Sequence, residues 1–171
     1  TPGPAPPAQT LAVRMKHLLA LVAFTLCTAA SAADVVTWAT AVSKQESTGR
    51  AIIFRFAKEF RQGFQRAQFP ARVILVWRYK SESGMPSKPE REAMDQMEDF
   101  LNPQVEDSSI LALVSTGENL REWIFYATSE DQFLASLNNA LAGRQRYPIE
   151  VHAARDPEWS SYARFRKEVR E

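Results

Sequence analysis

Apolar and polar positions repeat with two different periods along this chain, and the switches between them mark out its elements. Val35 to Val42, VVTWATAV, is rich in β-branched and aromatic residues, and Ala51 to Phe56 sets Ile52, Phe54 and Phe56 on one side with period two. Both predict strands, joined through the turn residues STGR. Arg72 to Tyr79, RVILVWRY, is nearly continuous in apolar residues, as expected of a central strand covered on both faces. The Lys58 to Pro70 segment scatters Phe60, Phe64 and Phe69 among charges and fits either a helical turn or a long hairpin loop.

Beyond the loop KSESGMPSK, Ser87 and Glu90 stand in S-x-x-E spacing with Pro89 in the first turn, so a helix starts there. Its apolar line is Met94, Met97 and Leu101, with Ala93 and Phe100 beside it, and Asn102-Pro103 is expected to stop it. Ser109 to Ser115 and Glu122 to Thr128 predict a hairpin around TGENL. Ser129 and Gln132 cap a second helix with the stripe Phe133, Leu134, Leu137 and Leu141, closed by Gly143. Tyr147 to Ala153 is the last strand.

A final helix is expected with Asp156 as N-cap, Pro157 in its first position and Glu158 at the positive end of the dipole. Trp159, Tyr162, Phe165 and Val169 then fall on one face, and Arg164, Arg166, Lys167 and Arg170 gather toward the C-terminus. From Arg72 the order is strand, helix, strand, strand, helix, strand. This predicts an α/β (α+β) fold, a ferredoxin-like antiparallel sheet with both helices on one face. The N-terminal strand pair extends the sheet, and the last helix covers an edge or the open face.

Composition adds a compartment. The hydrophobic share of 45% and charged share of 24% suit one globular domain, expected over residues 33–171. Met15 to Ala32, MKHLLALVAFTLCTAASA, has Lys16 before a 13-residue apolar stretch and ends on Ala30-Ser31-Ala32. That is the layout of a signal peptide cut near Ala32/Ala33. An apolar helix of this length spans about 20 Å, short of a ~30 Å hydrocarbon core, so no membrane span is expected after cleavage. The protein is therefore expected in the bacterial periplasm or secreted. Thr1 to Arg14, rich in Pro and Ala, reads as a mis-assigned start or an appended remnant and is expected to be disordered.

Loss of the leader removes Cys27, the single cysteine, and with it any disulfide or thiolate ligand. It also removes Arg14 and Lys16, taking the net charge from +1 to −1, which argues against a nucleic-acid partner. One histidine remains, His152, with Asp156, Glu158, Ser160 and Ser161 near it in sequence. No nucleophile elbow accompanies it, no phosphate-cradling glycine loop occurs, and no ligand set for a metal or cofactor stands out. The acids Glu90, Glu92, Asp95, Glu98 and Asp99 of the first helix offer a carboxylate pair for hydrolysis or, more simply, a solvated face.

The ending DPEWSSYARF, the stretch REWIFYATSEDQFLASLNNAL from Arg121 to Leu141 and the early Trp38 together resemble the bacterial family known as domain of unknown function 695. The likeness covers roughly Val35 to Phe165 and implies the same α/β fold, with no established activity. WIFYA followed by an acid-capped helix is also similar, at the level of the fold, to the regulator of RNase E activity B, an inhibitor that acts by binding.

Two functional readings follow. One is a non-enzymatic protein-binding or regulatory module, with the sheet face and final helix as working surface through Trp123, Tyr126, Trp159, Tyr162 and Arg164. The other is a small hydrolase or ligand-binding domain using His152 and acidic side chains.

Overall fold

The computed structural model describes residues 33–44 and 46–169 of the 171. The expected leader with Cys27, the extension before Met15 and Arg170 lie outside the described residues. Among the described residues six strands and three α-helices follow one another as β1 (Val35–Lys44), β2 (Ala51–Phe60), β3 (Ala71–Arg78), α1 (Lys88–Val105), β4 (Ser109–Gly117), β5 (Leu120–Ala127), α2 (Glu130–Leu141), β6 (Ile149–Arg155) and α3 (Ser160–Glu168). A short 3-10 turn, Arg66–Gln68, joins β2 to β3.

All strands pair antiparallel in the order β1-β2-β4-β5-β3-β6, an open sheet of α+β class. Alternation along β5 shows how the sheet divides its two faces. Trp123 and Phe125 meet Met94, Met97 and Leu101 of α1 and Phe133 and Leu137 of α2. Ile124 and Tyr126 point the other way, toward Trp159, Tyr162 and Phe165. Hence α1 and α2 share one face, and α3 covers the opposite one. On β4 the register slips between Leu111 and Leu113, so Ala112 and Leu113 both face the α3 side.

Both expected capping pairs form: Ser87 Oγ accepts from the Glu90 N–H, and Ser129 Oγ from the Gln132 N–H. Helix α1, however, runs through Pro103 to Val105 instead of stopping at Asn102-Pro103. Proline removes one N–H from the last turn, but Leu101 and Val105 are buried there, the Glu106 N–H reaches the Asn102 carbonyl at 3.0 Å, and Ser109 Oγ satisfies the Val105 carbonyl at 2.9 Å. The Lys58 to Pro70 segment is part strand and part helical turn, the latter at Arg66–Gln68. Strand β2 continues to Phe60, and Phe60, Phe64 and Phe69 stack in series with centroids 4.7 and 5.6 Å apart.

The helices do not cover the whole sheet. A helix is about 10 Å wide and strands lie about 4.8 Å apart, so α1 and α2 together shelter about four strands. β1 and β2 extend beyond them. On that face Val36, Trp38, Val42 and Ile53 remain 63%, 41%, 62% and 38% exposed.

Candidate functional site

At the border between the covered and bare parts of the sheet lies a cleft of about 220 Å³. Ile53 and Arg55 of β2, Asp95 and Glu98 of α1, Val114 and Thr116 of β4 and Arg121 of β5 line it. Its acids stand three residues apart on α1, the spacing that sets two side chains on one helix face. Each faces a guanidinium rather than the other acid. Arg121 Nη1 donates to Asp95 at 2.6 Å while its Nε donates to Thr116 Oγ1 at 2.9 Å. Arg55 pairs with Glu98 Oε1, and the indole N–H of Trp123 reaches Glu98 Oε2 at 2.8 Å.

Two arginines thereby bind the helix to the sheet. They also carry the charge toward aromatic rings, Arg55 lying 5.3 Å from the Trp38 centroid and Arg121 5.7 Å from that of Trp123. Such a cleft can recognise a polar or charged group through its own ion pairs. Of the five α1 acids, only Asp95 and Glu98 reach it. Lys88 bridges Glu92 at 3.7 Å on the surface, and Asp99 is exposed.

His152 is elsewhere. It sits on β6, the opposite edge of the sheet from β1, with Nε2 3.5 Å from Glu150, whose carboxylate Arg78 also holds at 2.9 Å. β3 stands between it and β5, the nearest strand of the cleft, so His152 and the α1 acids are not brought together. Among the described residues no group of three or more His, Cys, Asp or Glu could hold a metal ion. No described helix is long and apolar enough to cross a membrane.

The Asp-Pro-Glu-Trp stretch builds something other than the first turn of a helix. Helix α3 starts only at Ser160, and Trp159 occupies its N-cap position in the left-handed region, φ 54°. Asp156 still caps, from further back: its carboxylate accepts from the Ser160 N–H at 2.7 Å and the Ser161 N–H at 3.1 Å. The turn swings the indole inward, where it stacks on Tyr126 at 4.0 Å and donates to the carbonyls of Arg66 at 3.1 Å and Phe69 at 3.0 Å. Tyr126 completes the knot, donating to Asp156 at 2.9 Å and accepting from the Tyr162 N–H at 3.3 Å.

Burial pushes the Tyr126 hydroxyl up, reinforced by Asp156, so it stays protonated as a donor. Burial also pushes the Asp156 carboxyl up, but the N–H groups of Ser161 and Ser160 and the two hydroxyls beside it outweigh that. They hold it below its ordinary 3.8. The unfolded chain therefore takes up this proton first, and the stability due to Asp156 is complete above about pH 4 and lost as pH falls through the folded-state value. In urea melts from about pH 5 toward about pH 2, the gap between wild type and Asp156→Asn narrows. A gap of constant size across that range would contradict this account.

Four of the five expected contact residues are buried. Trp123, Tyr126, Trp159 and Tyr162 are each no more than 2% exposed. Their rings have no surface to offer a partner, because Trp123 lies under α1 and the other three form the α3 core; Arg164 alone of the five is exposed. Sequence reasoning missed the bare side chains of Trp38 and Ile53 and the arginines Arg55 and Arg121. A signal existed in the count of six strands against two helices on one side, which leaves a strand pair uncovered.

An open antiparallel sheet with helices on both faces and a charge-paired cleft beside a bare strand pair defines a small α+β domain. Its sequence from residue 37 to 166 matches the family of unknown function DUF695, and the chain belongs to that family. Comparison with curated proteins finds no match.

Proposed function

We infer that this is a non-enzymatic binding module, working after export, whose contact surface for a protein partner is the bare β1–β2 face with the adjoining cleft. The observation that carries the reading is the exposure of Val36, Trp38, Val42 and Ile53 on one face. A contiguous apolar patch rimmed by charge is the composition of a protein interface, and Trp and Arg are its usual anchors. Arg55 over Trp38 supplies both in one contact. The leader-like stretch from Met15 to Ala32 supports export to the periplasm or beyond. The chain order β3-α1-β4-β5-α2-β6 supports a ferredoxin-like core extended by β1 and β2.

The cleft favours a second reading, a small hydrolase or ligand-binding domain, since it joins carboxylates and guanidiniums in one recess. One comparison separates the two. Immobilised wild type and the exposed-face variants Trp38→Ala and Ile53→Asp are used to capture partners from a periplasmic extract. The expected result is a partner held by wild type and weakened about tenfold or more by either variant, at unchanged melting temperature. Turnover of an ester, glycoside or peptide substrate, abolished by Asp95→Asn with no partner captured, would overturn the binding reading.

A further inference from the structure

We propose that two copies of the chain pair through their β1 edges, antiparallel about a two-fold axis at Ala39, joining two six-stranded sheets into one. Among the described residues β1 pairs only with β2, so along this ten-residue strand every second residue turns its backbone N–H and C=O to an edge with no sheet partner. Proteins normally blunt such an edge with charge or proline. The other edge, β6, is blunted in this way by Glu150, His152 and Arg155. From Val35 to Ser43, β1 carries neither charge nor proline; its ladder with β2 is irregular between Val35 and Trp38 and regular from Trp38 to Lys44, and its side chains Val36, Trp38 and Val42 are exposed along it.

The sequence of β1 is complementary to itself in one register. With Ala39 on the axis, Trp38 of each copy faces Thr40 of the other and Val36 faces Val42, aromatic–β-branched and β-branched pairs of the kind that stabilise antiparallel ladders. At both ends Asp34, already oriented by Arg61, faces Lys44, so opposite charges close the seam twice. On the α3 side the residue at the axis is small, Ala39 against its own copy. Moving the axis by one residue in either direction loses both charge pairs.

A two-fold normal to the sheet keeps both bare faces on the same side. The product is a trough floored by two β1–β2 pairs and walled by two α1 helices. The pairing is made through backbone edges with Val36, Trp38 and Val42 flanking the seam, and it does not depend on the binding reading.

The test is sedimentation of the protein expressed from its full sequence. Wild type is expected at the mass of a dimer. Val42→Lys, at an exposed position, is expected to give a monomer with unchanged circular dichroism. Lys44→Glu, which sets two acids against each other at each end, raises the dissociation constant about tenfold. In a Cys27→Ser background, Ala39→Cys forms an interchain disulfide on mild oxidation and Ala41→Cys does not. A wild type that stays monomeric up to about 100 μM, a Val42→Lys variant that stays dimeric, or crosslinking through position 41 rather than 39 would each overturn the pairing. A monomer that nonetheless captured its partner would leave the binding reading standing.

Discussion

Trp159→Ala is expected to lower stability by about 3–5 kcal/mol, the largest loss from any single change considered for this fold. The ring is wholly buried and touches the sheet, the helix that follows it and the β2–β3 connection at once. It stacks on Tyr126 and meets Phe60, Phe64 and Tyr162 edge-on at 5.7, 5.8 and 5.9 Å. Truncation leaves a cavity among aromatics and strips the shared donor from the Arg66 and Phe69 carbonyls. The left-handed backbone at Trp159 remains, unfavourable for alanine as for tryptophan, but without the indole that held it in place. Thermal unfolding followed at 222 nm should show a fall of about 10 °C or more. A midpoint within a degree or two of wild type would mean that the α3 core does not depend on this ring.

The second large effect is expected from Asp156→Ala, at roughly 2–4 kcal/mol. Loss of a helix cap costs about 1 kcal/mol, and leaving the buried Tyr126 hydroxyl without its acceptor adds about 1–3 kcal/mol. Tyr126→Phe, which removes the hydroxyl but leaves the cap, should lose less than Asp156→Ala in urea titrations at neutral pH. Equal losses would place the whole effect in the tyrosine bond and none in the cap.

Much of the fold was readable because local chemistry and tertiary packing agree. Ser87 with Glu90 and Ser129 with Gln132 cap the helices they announce, and the continuous apolar run of β3 is an interior strand, paired with β5 on one side and β6 on the other. Where local signals failed, a distant contact had overruled them. Pro103 is a sound stop signal by itself, yet burial of Val105 draws the helix past it. Asp156-Pro157-Glu158 has the residues of a helix start, but Trp159 is turned into the left-handed region to reach Tyr126 and two carbonyls more than 85 residues away.

The site was less legible for a related reason. Amphipathic periods reveal which face of an element is apolar and say nothing of whether a neighbour exists to bury it. Trp38 and Trp123 look alike in their strands. One is half in water and the other lies beneath a helix, a difference set by the width of the helical layer. The cleft likewise depends on Arg55 and Arg121 arriving on strands far apart in sequence from Asp95 and Glu98.

Helix α3 follows in chain order every strand it shelters. A nascent polypeptide carrying all six strands but not yet Trp159 and Tyr162 therefore leaves Phe56, Ile110, Leu113 and Tyr126 open to water on one side. Chains interrupted at that stage would be sticky and prone to clumping, so completion of this molecule is tied to the arrival of its closing segment.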